Sequence, residues 1–240
     1  MEGGAPVNQN PDKPVQIKKK VGILGGTFNP PHYGHLYLAQ SVLEELDLEQ
    51  VVFLPSGNPP HKKPGADVTA AFHRVNMTEA AIAGNKHFAL ESMEADAFPA
   101  YSYAYRTMLK LTEQHPENDY YLIMGEDTFR TFARWKNAEL IAKLCHIVIG
   151  SRNRDGEKET RDLSIRYRQM FGGDYIRVWF PVAEVSSSEI RKRIAEGRKA
   201  DHLLPHGVME YIKVNRLYAG KISMPSARSM MFYGLQGERL

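Results

Sequence analysis

The chain has 240 residues, of which 42% are hydrophobic and 25% charged, a globular composition that excludes a disordered chain, a collagen and a disulfide scaffold. Its one cysteine, Cys145, allows no internal disulfide, and no apolar run approaches the ~18 residues of a membrane helix. The net charge of +3 is too small to indicate a nucleic-acid partner, although it suits a site for small anions. Because the N-terminus lacks the apolar stretch of a signal peptide, we expect a cytoplasmic protein.

Composition divides the chain into three parts. Residues 1–20 are rich in Gly, Pro, Asn and Gln, and we expect a flexible N-terminal arm. From 21 to 218, short apolar runs alternate with helix-like segments, which predicts one domain. Residues 219–240 contain Met and aromatic residues without a clear period, and we expect a C-terminal extension that packs on the domain or on a neighbouring subunit.

Strands and helices alternate along the domain. Strands are predicted at 21–24, 51–54, 120–124, 144–149 and 175–180. Helices are predicted at 34–46, 70–83, 103–115, 188–196 and 207–214, and the charged segment 152–161 is predicted to be a surface loop. Strands that are apolar on both faces and separated by helices indicate an α/β fold with a doubly wound, mostly parallel, Rossmann-like sheet. Ligands bind such sheets at the carboxyl ends of the strands, so we expect the site in the loops that follow these strands.

The loop after the first strand carries a phosphate-binding pattern. Residues 25–35 read Gly-Gly-Thr-Phe-Asn-Pro-Pro-His-Tyr-Gly-His, which is neither the dinucleotide fingerprint nor the P-loop. His32 and His35 flank Gly34 at a predicted helix start, where free N–H groups and the helix dipole favour phosphate. The alternatives are a metal-binding pair or ordinary loop histidines. The order strand, Gly-Gly, His-x-Gly-His, helix favours a nucleotide site.

Two later loops carry weaker signals. The proline-stiffened loop at 54–63 holds Lys62, whose point charge suits a phosphate but equally a solvated turn. Asp127 follows the strand at 120–124, where its carboxylate is placed to accept ribose hydroxyls. The alternative is that Glu126 and Asp127 are acids favoured by a helix N-terminus. For Trp135, a role in the core and a role in ligand contact are both open.

The last cluster begins the helix predicted at 188–196. Ser186 and Glu189 fit a capping box, and Ile190 begins a buried stripe. Arg191 is unexplained by these features, because a cation in the first turn opposes the helix dipole unless an anion binds there. This favours a second phosphate clamp.

Taken together, residues 21–218 resemble the bacterial nicotinate-mononucleotide adenylyltransferases of the nucleotidylyltransferase superfamily. Residues 25–35 match the signature G-G-T-F-[DN]-P-x-H-x-G-H, and 54–62 match L-P-x-x-x-P-P-H-K. Ser102, Tyr103 and Thr107 resemble the family segment S-Y-T-x-x-T, and Gly125, Asp127 and Trp135 match G-x-D followed by a tryptophan. Ser187, Ser188 and Arg191 match I-S-S-T-x-I-R. Val208, Tyr211 and Tyr218 resemble the family's usual ending. Two positions depart from the pattern: Ala104 and Ser188 stand where the family usually has threonine.

The resemblance implies transfer of AMP from ATP to nicotinate mononucleotide, in NAD biosynthesis. It implies Mg²⁺ held mainly by the ATP phosphates, with no protein metal ligands. The implied catalytic residues are His32, His35, Lys62 and Arg191. The implied ATP-binding residues are Gly25, Gly26, Thr27, Phe28, His32, His35, Gly125, Asp127, Ser187, Ser188 and Arg191. The implied mononucleotide-binding residues are Asn29, Lys62, Tyr103, Ala104, Trp135 and Lys136.

Other functions stay open at this point. One alternative is an adenylyltransferase of the same superfamily that acts on nicotinamide mononucleotide or phosphopantetheine. Another is a non-catalytic regulator that keeps the nucleotide pocket. We expect no nucleic-acid polymer and no membrane as partners, and a homo-oligomer is open.

Overall fold

The computed structural model describes residues 18–59, 68–152, 157–180 and 185–219. Six strands lie within these residues: β1 Lys19–Gly26, β2 Gln50–Pro55, β3 Phe88–Leu90, β4 Asn118–Gly125, β5 His146–Ser151 and β6 Tyr175–Trp179. The helices there are α1 Tyr33–Glu45, α2 Ala71–Ile82, α3 Met93–Asp96, α4 Ala104–Gln114, α5 Glu126–Phe129, α6 Ala138–Leu144, α7 Glu157–Phe171, α8 Ser187–Ala195 and α9 His206–Val214, with a 3₁₀ turn at Phe132–Arg134.

The strands form one sheet in the order β3-β2-β1-β4-β5-β6, and every pair is parallel. The predicted doubly wound parallel sheet is therefore confirmed. The chain builds outward from β1 to β3 and then returns to place β4 on the other side of β1. Connections leave β1 and β4 in opposite directions, and this opens a crevice at their carboxyl ends.

Alternating side chains of the central strands build a core on each face. On β4, Leu122 and Met124 join the cluster covered by α4, α6 and α7, whereas Tyr121 and Ile123 join the cluster under α1 and α2. A third cluster, centred on Met77, packs α8 and α9 against α2. The packing of α8 brings its N-terminus to the loop after β1.

Each predicted strand and helix is confirmed, with ends that shift by one or two residues. The prediction of a surface loop at 152–161 is wrong, because α7 begins at Glu157. This helix buries only Thr160 and Tyr167, so most of its residues are exposed and the sequence shows no helical spacing of apolar residues. Sequence patterns also missed β3, α3 and α6.

The domain limits stay predictions. The N-terminal arm and the C-terminal extension lie outside the described residues, apart from residues 18–20 and 219. Lys19 and Lys20, assigned to the arm, already belong to β1. None of the described helices is long and apolar enough to cross a membrane.

Candidate active site

A cleft of about 730 Å³ lies at the carboxyl ends of the strands. Its walls include Gly25 and Gly26 at the end of β1, Ser56 after β2, Gly125 at the end of β4 and Gly150 near the end of β5. The cleft therefore occupies the crevice that the strand order opens.

Most of the predicted site residues line this cleft, namely Gly25, Gly26, Thr27, His32, His35, Tyr103, Ala104, Gly125, Asp127, Trp135 and Lys136. Phe28, Asn29, Ser187, Ser188 and Arg191 lie beside it without lining it. Lys62 lies outside the described residues.

The two histidines form a stacked pair at the start of α1. His32 is the N-cap residue, and its backbone N–H donates to Nδ1 of His35 over 3.1 Å. The two rings stack with centroids 3.8 Å apart. Because Nδ1 of His35 accepts this bond, the proton of its neutral ring is on Nε2. Nδ1 of His32 is buried and has no hydrogen-bond partner among the described residues.

Gly34 between the histidines leaves room for the His32 ring. A Cβ added there would lie 3.0 Å from Nδ1 of His32 and 3.2 Å from a methyl carbon of Val185. The His32 ring thus lies against the helix backbone. Phe28, which is 1% exposed, holds the other ring by edge-on contact with His35 at 5.0 Å.

Both imidazoles are neutral near pH 7. Burial, aided by the charge of Arg152, lowers the pKa of His32 to about 4. Burial also lowers the pKa of His35 well below its usual value, and His32 and Arg152 act in the same direction. An anion placed beside the pair would oppose these effects and favour protonated rings.

Sequence reasoning missed Arg152, which follows β5 and lines the cleft. Its position shortly after a predicted strand is a signal for a site residue, but the charged segment 152–161 as a whole predicts a surface loop. The residue supplies a full positive charge near the otherwise neutral histidine pair.

The start of α8 docks on the loop after β1. The side chain of Ser186 accepts from the N–H of Glu189, which confirms this half of the predicted capping box. The Ser187 hydroxyl donates to the carbonyl of Pro30 over 2.8 Å, and Nη1 of Arg191 donates to the carbonyl of Asn29 over 2.8 Å. Arg191 is the fifth of the nine residues of α8, so the prediction that it lies in the first turn against the helix dipole is wrong, and the Asn29 carbonyl holds its guanidinium.

Asn29 is a packing centre of the same loop. It is 4% exposed, and its Oδ1 accepts from the Tyr218 hydroxyl over 2.8 Å and from the N–H of Thr69 over 3.3 Å. Contact of Asn29 with the mononucleotide stays a prediction, as does contact of Arg191 with phosphate.

The opposite end of the cleft is aromatic and basic. Trp135 lines the cleft and also packs on Phe132, with ring centroids 5.7 Å apart, so the core and ligand interpretations are compatible. Nζ of Lys136 lies 5.0 Å from the ring centroid of Tyr103. Helix α4 begins at Ala104, and the N–H groups of a first helical turn have no partner within the helix.

The acids after β4 have different roles. Glu126 is held inside by the hydroxyls of Ser151 and Thr160, which donate to its Oε1 over 2.7 and 3.1 Å. The side chain of Asp127 is exposed and pairs with Arg130 over 2.6 Å. Asp127 is therefore the one that faces solvent at the cleft.

A buried arginine, also missed from the sequence, ties the site loops together. Arg74 is 1% exposed and donates to the carbonyls of Thr27, Thr69 and Gly57 over 2.8, 2.8 and 3.1 Å. Burial lowers its pKa from the usual value. The loops after β1 and β2 are thus held at a fixed separation.

Comparison with known proteins places this site in a family. The cytidylyltransferase-like family model matches residues 23–193. A "Probable nicotinate-nucleotide adenylyltransferase" from Lachnoclostridium phytofermentans is 34% identical over 200 residues, which is 83% of this chain and 99% of the relative. A protein of the same name from Bacillus licheniformis is 36% identical over 200 residues, which is 83% of this chain and 98% of the relative.

A solved structure shows the same fold. It is the Plasmodium falciparum nicotinic acid mononucleotide adenylyltransferase complexed with NaAD, with a TM-score of 0.68, 19% identity, and coverage of 83% of this chain and 97% of that one. The chain therefore belongs to the cytidylyltransferase-like family and, within it, to the nicotinate-nucleotide adenylyltransferase family.

Proposed function

We propose that this chain transfers AMP from ATP to nicotinate mononucleotide, forming nicotinate adenine dinucleotide and pyrophosphate in NAD biosynthesis. The observation that carries the proposal is one continuous cleft with the stacked His32–His35 pair at a helix start and an aromatic, basic wall around Trp135 and Lys136. The names of the relatives support the same reaction.

The reaction is a substitution at the α-phosphorus of ATP. A phosphate oxygen of the mononucleotide forms the new P–O bond, and the bond to the bridging oxygen of the β-phosphate breaks, so pyrophosphate leaves with the electron pair. The attacking phosphate needs no general base, because the second pKa of a monoester is about 6. Catalysis then consists of positioning and of neutralising phosphate charge.

The chain supplies that neutralisation from several elements. Nε2–H of His35, the positive end of α1 and Arg152 act on the ATP phosphates, with Arg191 reaching from α8. We propose that Lys62 contributes from the loop after β2. The other ATP contacts of the proposal are Gly25, Gly26, Thr27, Phe28, His32, Gly125, Asp127, Ser187 and Ser188.

Mg²⁺ enters this proposal as part of the ATP complex. The described residues contain no group of three or more His, Cys, Asp or Glu side chains that could hold a metal ion. The donors around the histidine pair are N–H groups and a guanidinium, which suit phosphate oxygens and not a cation. Magnesium held by phosphates and water fits this donor set and would add positive charge to the transferred group.

The nicotinate ring is proposed to stack on Trp135, with its carboxylate near Lys136 and the first turn of α4. Ala104 lacks a hydroxyl but keeps its backbone N–H. Donors placed for a carboxylate disfavour the amide of nicotinamide, because its own N–H₂ would face them unpaired. Tyr103 and Asn29 complete the proposed mononucleotide set.

Labelled ATP tests the reaction. With the label on the α-phosphate, we expect it in the dinucleotide, and with the label on the γ-phosphate we expect it in pyrophosphate. Recovery of the α-label only as free AMP, or no turnover by a protein that binds ATP, would contradict the proposal.

A further inference from the structure

A carboxylate lies in the cleft with no ion pair. Glu94, on α3, lines the cleft and is partly buried, and none of the ion pairs within the described residues involves it. Burial raises its pKa, while the hydroxyls of Thr107 and Ser102 oppose that rise. An acid without a cation is costly to bury, so its hydrogen bonds must compensate.

The first of these bonds reaches α4. The Thr107 hydroxyl donates to Oε1 of Glu94 over 2.5 Å, and Thr107 itself is only 5% exposed. This fixes Glu94 to the helix whose first turn carries Ala104, beside the N-cap residue Tyr103.

The second connection reaches the loop after β2. Oγ of Ser102 accepts from the N–H groups of Gly57 and Asn58 over 2.9 and 3.3 Å. Ser102 thus joins the loop after β2 to the surroundings of Glu94, where its hydroxyl opposes the rise in the pKa of that carboxyl. The N–H of Ser102 also donates to the carbonyl of Asn58 over 3.0 Å.

The backbone contact behind this network is tight. A Cβ added to Gly57 would lie 2.1 Å from the carbonyl oxygen of Glu94. On its other side, the Gly57 carbonyl accepts from Arg74. The loop after β2 is thus held between a buried cation and the Glu94 network, with little room to shift.

We propose that Glu94 is a positioning residue for mononucleotide binding. Its side chain accepts from Thr107 on α4 while its backbone carbonyl lies against Gly57, so it sets the distance between the loop after β2 and the first turn of α4. A carboxylate suits this task because it only accepts, and the Thr107 hydroxyl donates to it. The inference rests on the proposed function, since it assigns the mononucleotide to this half of the cleft.

Kinetics of three variants test the inference. Glu94→Ala should raise the KM for nicotinate mononucleotide by about 10- to 100-fold, the scale for losing hydrogen bonds to a charged acceptor. The KM for ATP should stay within about twofold, because the histidine pair lies on another loop. Glu94→Gln keeps the shape and one accepting oxygen, so it should be intermediate. Thr107→Val, which removes one donor, should shift the same KM in the same direction.

Asp96→Ala is the matched control. It removes an exposed acid of the same short helix, whose carboxylate accepts from the Ser92 hydroxyl and not from α4, and its KM values should equal those of the wild type. Equal rises of both KM values in Glu94→Ala, or no change in either, would overturn the inference. If Glu94→Ala does not fold, Thr107→Val decides by the same criterion.

Amide hydrogen exchange separates this inference from the proposed function. In Glu94→Ala, the amides of Gly57 and Asn58 should exchange faster than in the wild type and in Asp96→Ala, with no substrate present. A wild type that makes no dinucleotide would contradict the proposed function alone. Unchanged exchange at these two amides would contradict the positioning role alone.

Discussion

Replacing Gly34 by alanine displaces the His32 ring without removing it, and so tests whether the position of the ring matters for turnover. The new Cβ would lie 3.0 Å from Nδ1 and 3.1 Å from Cε1 of that ring, so the ring must move by a few tenths of an ångström. The stacked His35 ring, with centroids 3.8 Å apart, must move with it. Since a misplacement of about 1 Å costs roughly 10²-fold in rate, a shift of a few tenths of an ångström should lower turnover by about 3- to 10-fold.

The effect on stability should be small. Alanine in a helix gains about 0.5–1 kcal/mol over glycine, and the overpacked contact costs about 1–3 kcal/mol. The free energy of unfolding should therefore fall by about 1 kcal/mol, measured by urea denaturation beside a pyrophosphate-release assay. Gly84→Ala is the control, because a Cβ at Gly84 meets no atom within 4 Å. Wild-type turnover in a folded Gly34→Ala variant would refute the argument that spacing holds the ring.

His32, Arg191 and Trp135 can each be tested by one substitution. His32 has a folded pKa of about 4 against 6.5 unfolded, so the unfolded state binds more protons between these values. The free energy of unfolding should therefore fall by about 3 kcal/mol as pH drops from 6.5 to 4. In urea titrations at the same pH values, the free energy of unfolding of His32→Asn should not show this contribution. Arg191→Ala should raise the KM for ATP far more than that for the mononucleotide; unchanged ATP kinetics would leave Arg191 only its bond to Asn29. Trp135→Ala should raise the KM for the mononucleotide and leave the KM for ATP unchanged. An unchanged KM for the mononucleotide would contradict ring stacking.

Local patterns were enough to predict the centre of the fold. The apolar run of β1, the two glycines and the histidine spacing lie within a few residues of each other, and a parallel sheet follows from alternating strands and helices. The predicted cap at Ser186 was confirmed for the same reason, since a cap is a contact between residues three apart.

Contacts between distant segments were not predictable in this way. Arg74 reads as one more helix cation, yet its partner Thr27 lies 47 residues away in the sequence. Gly57 and Ser102 are 45 residues apart, and nothing local marks their bond. Helix α7 was missed because its exposed charges outnumber its buried residues.

The most direct test of the account measures turnover of nicotinate and nicotinamide mononucleotides side by side, with ATP and Mg²⁺. We predict stoichiometric dinucleotide and pyrophosphate, and a kcat/KM for the nicotinate form that is higher by about tenfold or more, because the donors near Lys136 and the start of α4 suit a carboxylate. Equal kcat/KM values would contradict the assignment of these donors. Absence of dinucleotide with both substrates would contradict adenylyl transfer itself.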